Sequence, residues 1–147
     1  MFTEFIFPNT EPTVKMNFYW FGKAANRLPE AAWFSFLPDI SGEARWSLDK
    51  SDRPVSPLDV VPGGNRHMHA VTRDIRILHA DRNLAIETLD APVAALGEKT
   101  PLYFSREQPD LRKGIHFCLH NNVWGTNYPQ WFGEDMRFRF VLRVRPS

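Results

Sequence analysis

The sequence predicts an all-β protein, an antiparallel β-sandwich formed as one domain over residues 1–147. Three observations carry that expectation. Aromatic residues make up 14% of the chain, with 12 Phe and 5 Trp, and such residues favour strands. Apolar and polar residues alternate over several short segments, the period-2 mark of a half-buried strand. Pro, Gly and Asn/Asp clusters punctuate these segments about every ten residues, and no long stretch repeats with a 3.6-residue period.

Taken in order, Met1 to Phe7 is apolar and alternating, without the basic start and long apolar run of a signal peptide. From Thr13 to Gly22, Val14, Met16, Phe18 and Trp20 fall on one face, with Lys15, Asn17 and Tyr19 on the other. Ala31 to Leu37 is aromatic-rich and stopped by Pro38, and Ala44 to Leu48 is a short strand candidate. Ser51 to Asn65, with Pro54, Pro57, Pro62, Gly63 and Gly64, reads as an irregular connection. His67 to Val71 and Asp74 to Leu78 read as a hairpin around Thr72-Arg73, and Leu84 to Leu89 as a further strand. Pro92 to Gly97 is ambiguous, and Glu98 to Lys113 is a polar loop around Tyr103-Phe104. Gly114 to His120 alternates, with Ile115, Phe117 and Leu119 opposed to His116, Cys118 and His120. The last strand sets Met136, Phe138, Phe140, Leu142 and Val144 against Arg137, Arg139, Val141, Arg143 and Arg145. Phe117, Phe138, Phe140 and Leu142 are the expected core.

Composition narrows the function. A net charge of +1 argues against a dedicated nucleic-acid or acidic-membrane surface. Four arginines on one face of the last strand, with no aromatics between them, more often pair with acids of a neighbouring strand. No run approaches the roughly 18 apolar residues of a membrane span. The single cysteine, Cys118, excludes an intrachain disulfide framework, and together with the missing N-x-[ST] sequon it points to a cytoplasmic setting. No P-loop, G-x-S-x-G elbow or dinucleotide fingerprint is present, so no cofactor is expected.

The segment richest in binding chemistry is His120-Asn-Asn-Val-Trp-Gly-Thr-Asn-Tyr-Pro-Gln-Trp131. Indole faces stack on sugar C–H surfaces, and amides meet hydroxyls. Trp124, Asn127 and Trp131 are therefore candidate carbohydrate contacts, with Asn121 and Arg66 as polar neighbours. Against this, the tryptophans can plug a core edge while Asn121, Asn122 and Asn127 tie down turns. Five histidines raise a weaker metal alternative. His67 and His69 share a strand face, as do His116 and His120, and two such strands side by side would suit zinc or iron. Paired carboxylates of a glycosidase cannot be assigned from spacing alone.

Three segments carry a family resemblance: Asn26-Arg-Leu-Pro-Glu-Ala31 with Trp33-Phe-Ser-Phe36; Pro62-Gly-Gly-Asn-Arg66 with His69-Ala-Val71; and His120 to Trp131 running into Asp135-Met-Arg-Phe-Arg-Phe140. Together they resemble the C-terminal β-domain of bacterial and fungal proteins related to glycoside hydrolase family 38, the α-mannosidases. The resemblance spans about Asn26 to Val144, and the Asn-Asn-x-Trp-Gly-Thr-Asn stretch is its specific part. It implies part of a galactose-mutarotase-like supersandwich that packs on a catalytic barrel holding the zinc site. No zinc ligand of that barrel has a counterpart here. The expected role is a non-catalytic module that partners the barrel, with carbohydrate as a second contact. The alternatives are a small histidine-metal enzyme and a purely structural or oligomerisation domain.

Overall fold

The structure is a computed structural model and describes residues 1–101, 106–123 and 131–147. Among the described residues eleven strands form two antiparallel sheets packed face to face: β1 (Phe2–Ile6), β2 (Thr13–Trp20), β3 (Ala31–Phe36), β4 (Ala44–Lys50), β5 (Arg53–Val55), β6 (Met68–Ala70), β7 (Asp74–His79), β8 (Arg82–Thr88), β9 (Val93–Leu96), β10 (Ile115–Asn121) and β11 (Met136–Pro146). The larger sheet runs β1-β2-β11-β8-β7-β4-β5 and the smaller β3-β10-β9-β6. A 3-10 turn, Leu111–Lys113, precedes β10. Among the described residues no helix is long and apolar enough to cross a membrane.

Alternation explains the core. Met16, Phe138 and Phe140 of the larger sheet and Ile115 and Phe117 of the smaller are buried between the layers. Leu142 is only partly buried and packs against this cluster. Aromatic rings join the sheets, with Phe34 4.7 Å from Phe140, Phe117 4.9 Å from Phe140, and Phe18 4.6 Å from Phe34. Such tilted ring pairs add to the burial term. On the outer face of β11 the arginines find acids: Arg139 grips Asp90 through two bonds of 2.8 Å, and Arg143 bonds Glu87 at 2.8 Å.

Two expectations are corrected, and one open stretch is resolved. His67 to Val71 and Asp74 to Leu78 do not form a hairpin, because β6 belongs to the smaller sheet and β7 to the larger. The Val71 to Arg73 link crosses between layers instead; Val71 N–H bonds Pro92 O at 2.7 Å and Thr72 N–H bonds Asp49 O at 2.8 Å. The ambiguous Pro92 to Gly97 stretch contains a buried central strand, β9, whose short apolar run lacks alternation because both of its faces are covered. The histidine strands β6 and β10 are not neighbours, since β9 lies between them.

Candidate functional site at the Trp131 end

One end of the sandwich gathers the β2–β3 connection, the end of β10 and the approach to β11. A bulge near the end of β10 decides what faces this site. Cys118 lies opposite Trp33, but the next partner of Ala32 is His120, so the register skips Leu119. Cross-strand partners share a face, and Ala32 shares its face with Phe34. His120 therefore turns to the core-side face of Phe117, away from His116. The expected common face of His116, Cys118 and His120 is broken at that point.

His120 Nε2 lies 3.2 Å from Glu30 Oε1, and its ring is 6.2 Å from that of Phe132. The same Glu30 oxygen takes a short bond from the Lys23 ammonium. Lys23 is almost fully buried, with its side chain 3% exposed. Its remaining protons go to Ala24 O and Phe132 O, each at 3.1 Å, and its ammonium is 5.6 Å from the centre of the Trp20 ring. A buried ammonium is tolerable only when its donors are used, and three acceptors match three N–H groups. The Lys23 bond, with smaller help from Asn26 and His120, holds Glu30 below the usual carboxylate range against the opposing effect of burial.

Asn122 ties the other side. Its Oδ1 accepts from Glu30 N–H at 2.6 Å, and its Nδ2 donates to Asn26 O at 2.9 Å and Leu28 O at 3.0 Å. Both roots of the 122–132 connection are thus fastened to the 23–30 segment, one by Asn122 and one by Lys23 through Phe132 O. On the outside, Arg27 lies over the Trp131 ring at 4.3 Å, and that ring is 50% exposed. Gly22 N–H bonds Asp135 Oδ1 at 2.6 Å and closes the same end.

The candidates from the sequence are distributed as follows. Trp131 is exposed at this end, and Asn121 closes β10, accepting a bond from Val123 N–H at 2.6 Å. Trp124 and Asn127 lie outside the described residues, as do Tyr103 and Phe104. Arg66 is not a neighbour of this group. His67 O accepts from Leu96 N–H, and Leu96 pairs with Ile115 at the opposite end of β10. Six residues of strand put that about 20 Å away. There Arg66 bonds Gln108 Oε1 at 3.0 Å.

The histidines are dispersed. His69 contacts Arg66 O at 3.2 Å, and His116 contacts Ser35 Oγ at 2.9 Å and Gly97 O at 3.4 Å. Burial pushes the basicity of both His69 and His116 down, which favours their neutral forms. Among the described residues no three His, Cys, Asp or Glu side chains come together as a metal-binding group. A cleft of about 830 Å³ opens near the start of β4, lined by Ile40, Arg45, Trp46, His79 and Arg112, with none of the sequence candidates among its walls.

Lys23 and Glu30 belong to this candidate site without any sequence motif marking them, whereas Asn122 ties the connection down as its place in an Asn-rich turn segment suggests. Lys23 and Phe132 are 109 positions apart, and Glu30 and Asn122 are 92 apart. No local pattern links them. The density of Asn in 121–127 is the local signal that points to this end. No protein-family model, curated protein or solved structure matches this chain.

Proposed function

We propose that the chain is a non-catalytic β-sandwich module of an α-mannosidase-like glycoside hydrolase, which packs on a catalytic domain and contacts carbohydrate at its Trp131 end. The observation that carries the reading is the exposed Trp131 ring under Arg27, beside an end whose amides and charges are fixed in place. A half-exposed indole on a rigid root offers stacking area at little ordering cost. Packing on a larger partner is supported by the aromatic residues left open at β1, where Phe5 is 55% and Phe7 68% exposed. The family itself rests on the resemblance of the 120–131 stretch.

Trp131→Ala tests the carbohydrate contact. It should lower binding to mannose-containing glycans on an array while leaving Tm nearly unchanged, because the ring is half in solvent. Unchanged glycan binding in that variant, or no glycan binding by the native chain, would remove this contact from the reading. The pure chain should not turn over an aryl α-mannoside. Turnover abolished by His67→Ala would instead support a metal enzyme.

A further inference from the structure

The outer face of β1, β2 and β11 carries a side-chain grid that the Trp131 end does not use. Register alone builds its rows. Phe2 lies opposite Tyr19, and Tyr19 opposite Arg137. In the next row on the same face, Glu4 lies opposite Asn17, and Asn17 opposite Arg139. Phe21 follows Tyr19 by two residues. The Tyr19 and Phe21 rings are parallel to within 6° at 5.8 Å, and Phe2 is 5.9 Å from Tyr19. Phe2 is 56% exposed and Phe21 61%.

The polar row beside the rings is already organised. Asn17 Nδ2 donates to Glu4 Oε2 at 2.8 Å, and Arg139 is fixed on Asp90. Hydrogen-bonding groups held in place next to ring faces match a ligand that is apolar on one side and hydroxyl-rich at its rim. An apolar protein partner fits less well, since interface cores are depleted of charged residues. A nucleic-acid strand also fits less well, because the Glu4 and Asp90 carboxylates offset Arg137 and Arg139 where phosphates would run.

We propose that this face is a second carbohydrate-binding surface, on which Phe2, Tyr19 and Phe21 stack against sugar rings while Glu4, Asn17 and Arg137 take hydroxyl groups. It is separate from the Trp131 contact, and single variants distinguish the two: Trp131→Ala tests that contact, while Phe21→Ala and Tyr19→Ala test this face. The test is affinity electrophoresis of the full chain through gels holding mannan, xylan or a mixed-linkage β-glucan, with an oligo(dT) strand as a parallel probe. At least one polysaccharide should retard the chain. Phe21→Ala and Tyr19→Ala should each weaken that binding about tenfold, the equivalent of about 1.4 kcal/mol. Trp131→Ala should still be retarded, and adding Phe21→Ala to it should weaken that remaining retardation. Phe21 is mostly in solvent, so its variant should keep the native Tm and the comparison stays clean. Retardation by no polysaccharide, or retardation unchanged in both ring variants, overturns the proposal. So does binding of oligo(dT) in place of glycan, or a concentration-dependent dimer that Phe21→Ala dissolves.

Discussion

At the residue scale, the buried histidines give the fold a pH dependence with a definite sign. Burial depresses the basicity of His69 and His116 in the folded chain, while the unfolded chain keeps the ordinary histidine value near 6.5. The unfolded state therefore binds more protons as pH falls, and stability is lost below the ordinary value until the folded pKa is passed. Urea unfolding midpoints should be level from pH 8 to about 7 and decline from about pH 6.5 downward. His69→Gln should flatten the decline. A midpoint constant from pH 7.5 to 5.5 would contradict this. Glu30 and Asp90 act in a different window. Lys23 and Arg139 hold their carboxylates below the usual range, so their share persists to lower pH and is lost only as they protonate.

At the element scale, the β4–β5 hairpin shows where local sequence and backbone disagree. Lys50 pairs with Arg53, which leaves Ser51 and Asp52 as the two-residue turn. Both have positive φ, 54° and 62°. That is the turn whose twist suits a hairpin, and Asn-Gly fits it best. Neither Ser nor Asp is free of cost there, and left-handed backbone costs an L-residue about 1–2 kcal/mol. Asp52→Gly should therefore stabilise the chain by about 1 kcal/mol. The Arg73 contact that it gives up is 3.9 Å long and involves a carboxylate 86% exposed, so little is lost. Thermal unfolding measures this, and a lower Tm for the variant would mean that the Asp52 side chain matters more than its backbone. Gly114 lies under the opposite constraint. Its φ is 115°, and a Cβ there would come within 2.9 Å of Phe36 O, so only glycine lets β10 start beside β3.

At the scale of the molecule, the two sides of the sandwich are managed differently. On one side the sheets end in β5 and β6, three residues each, and β5 carries Pro54. Short edges and proline discourage pairing with another chain. On the other side they end in β1 and β3, five and six residues long and free of proline. Phe5 pairs with buried Met16 and so lies on the core-side face of the larger sheet. It is nevertheless 55% exposed, because the smaller sheet does not extend over β1. This overhang is the surface on which the proposed catalytic domain would pack. Taken alone, the chain should self-associate as its concentration rises, and Phe5→Lys should restore a monomer in light scattering. A native chain that stays monomeric at high concentration would show the overhang to be tolerated without a cover.

The sequence by itself determined the all-β class, most strand positions and the inward faces of β10 and β11. Those depend on alternation, a property of neighbours along the chain. It also singled out the Asn- and Trp-rich stretch from which Asn122 and Trp131 reach the candidate site. Tertiary structure alone decided which strands share a sheet, and so separated β6 from β7 and the β6 histidines from those of β10. It decided the bulge that turns His120 toward Glu30, because one skipped residue in β10 is visible only against the register of β3. It also brought Lys23, Glu30, Asn122 and Phe132 together and moved Arg66 to the far end. Those outcomes depend on which distant segments meet in space, and alternation along one strand holds no information about its partner.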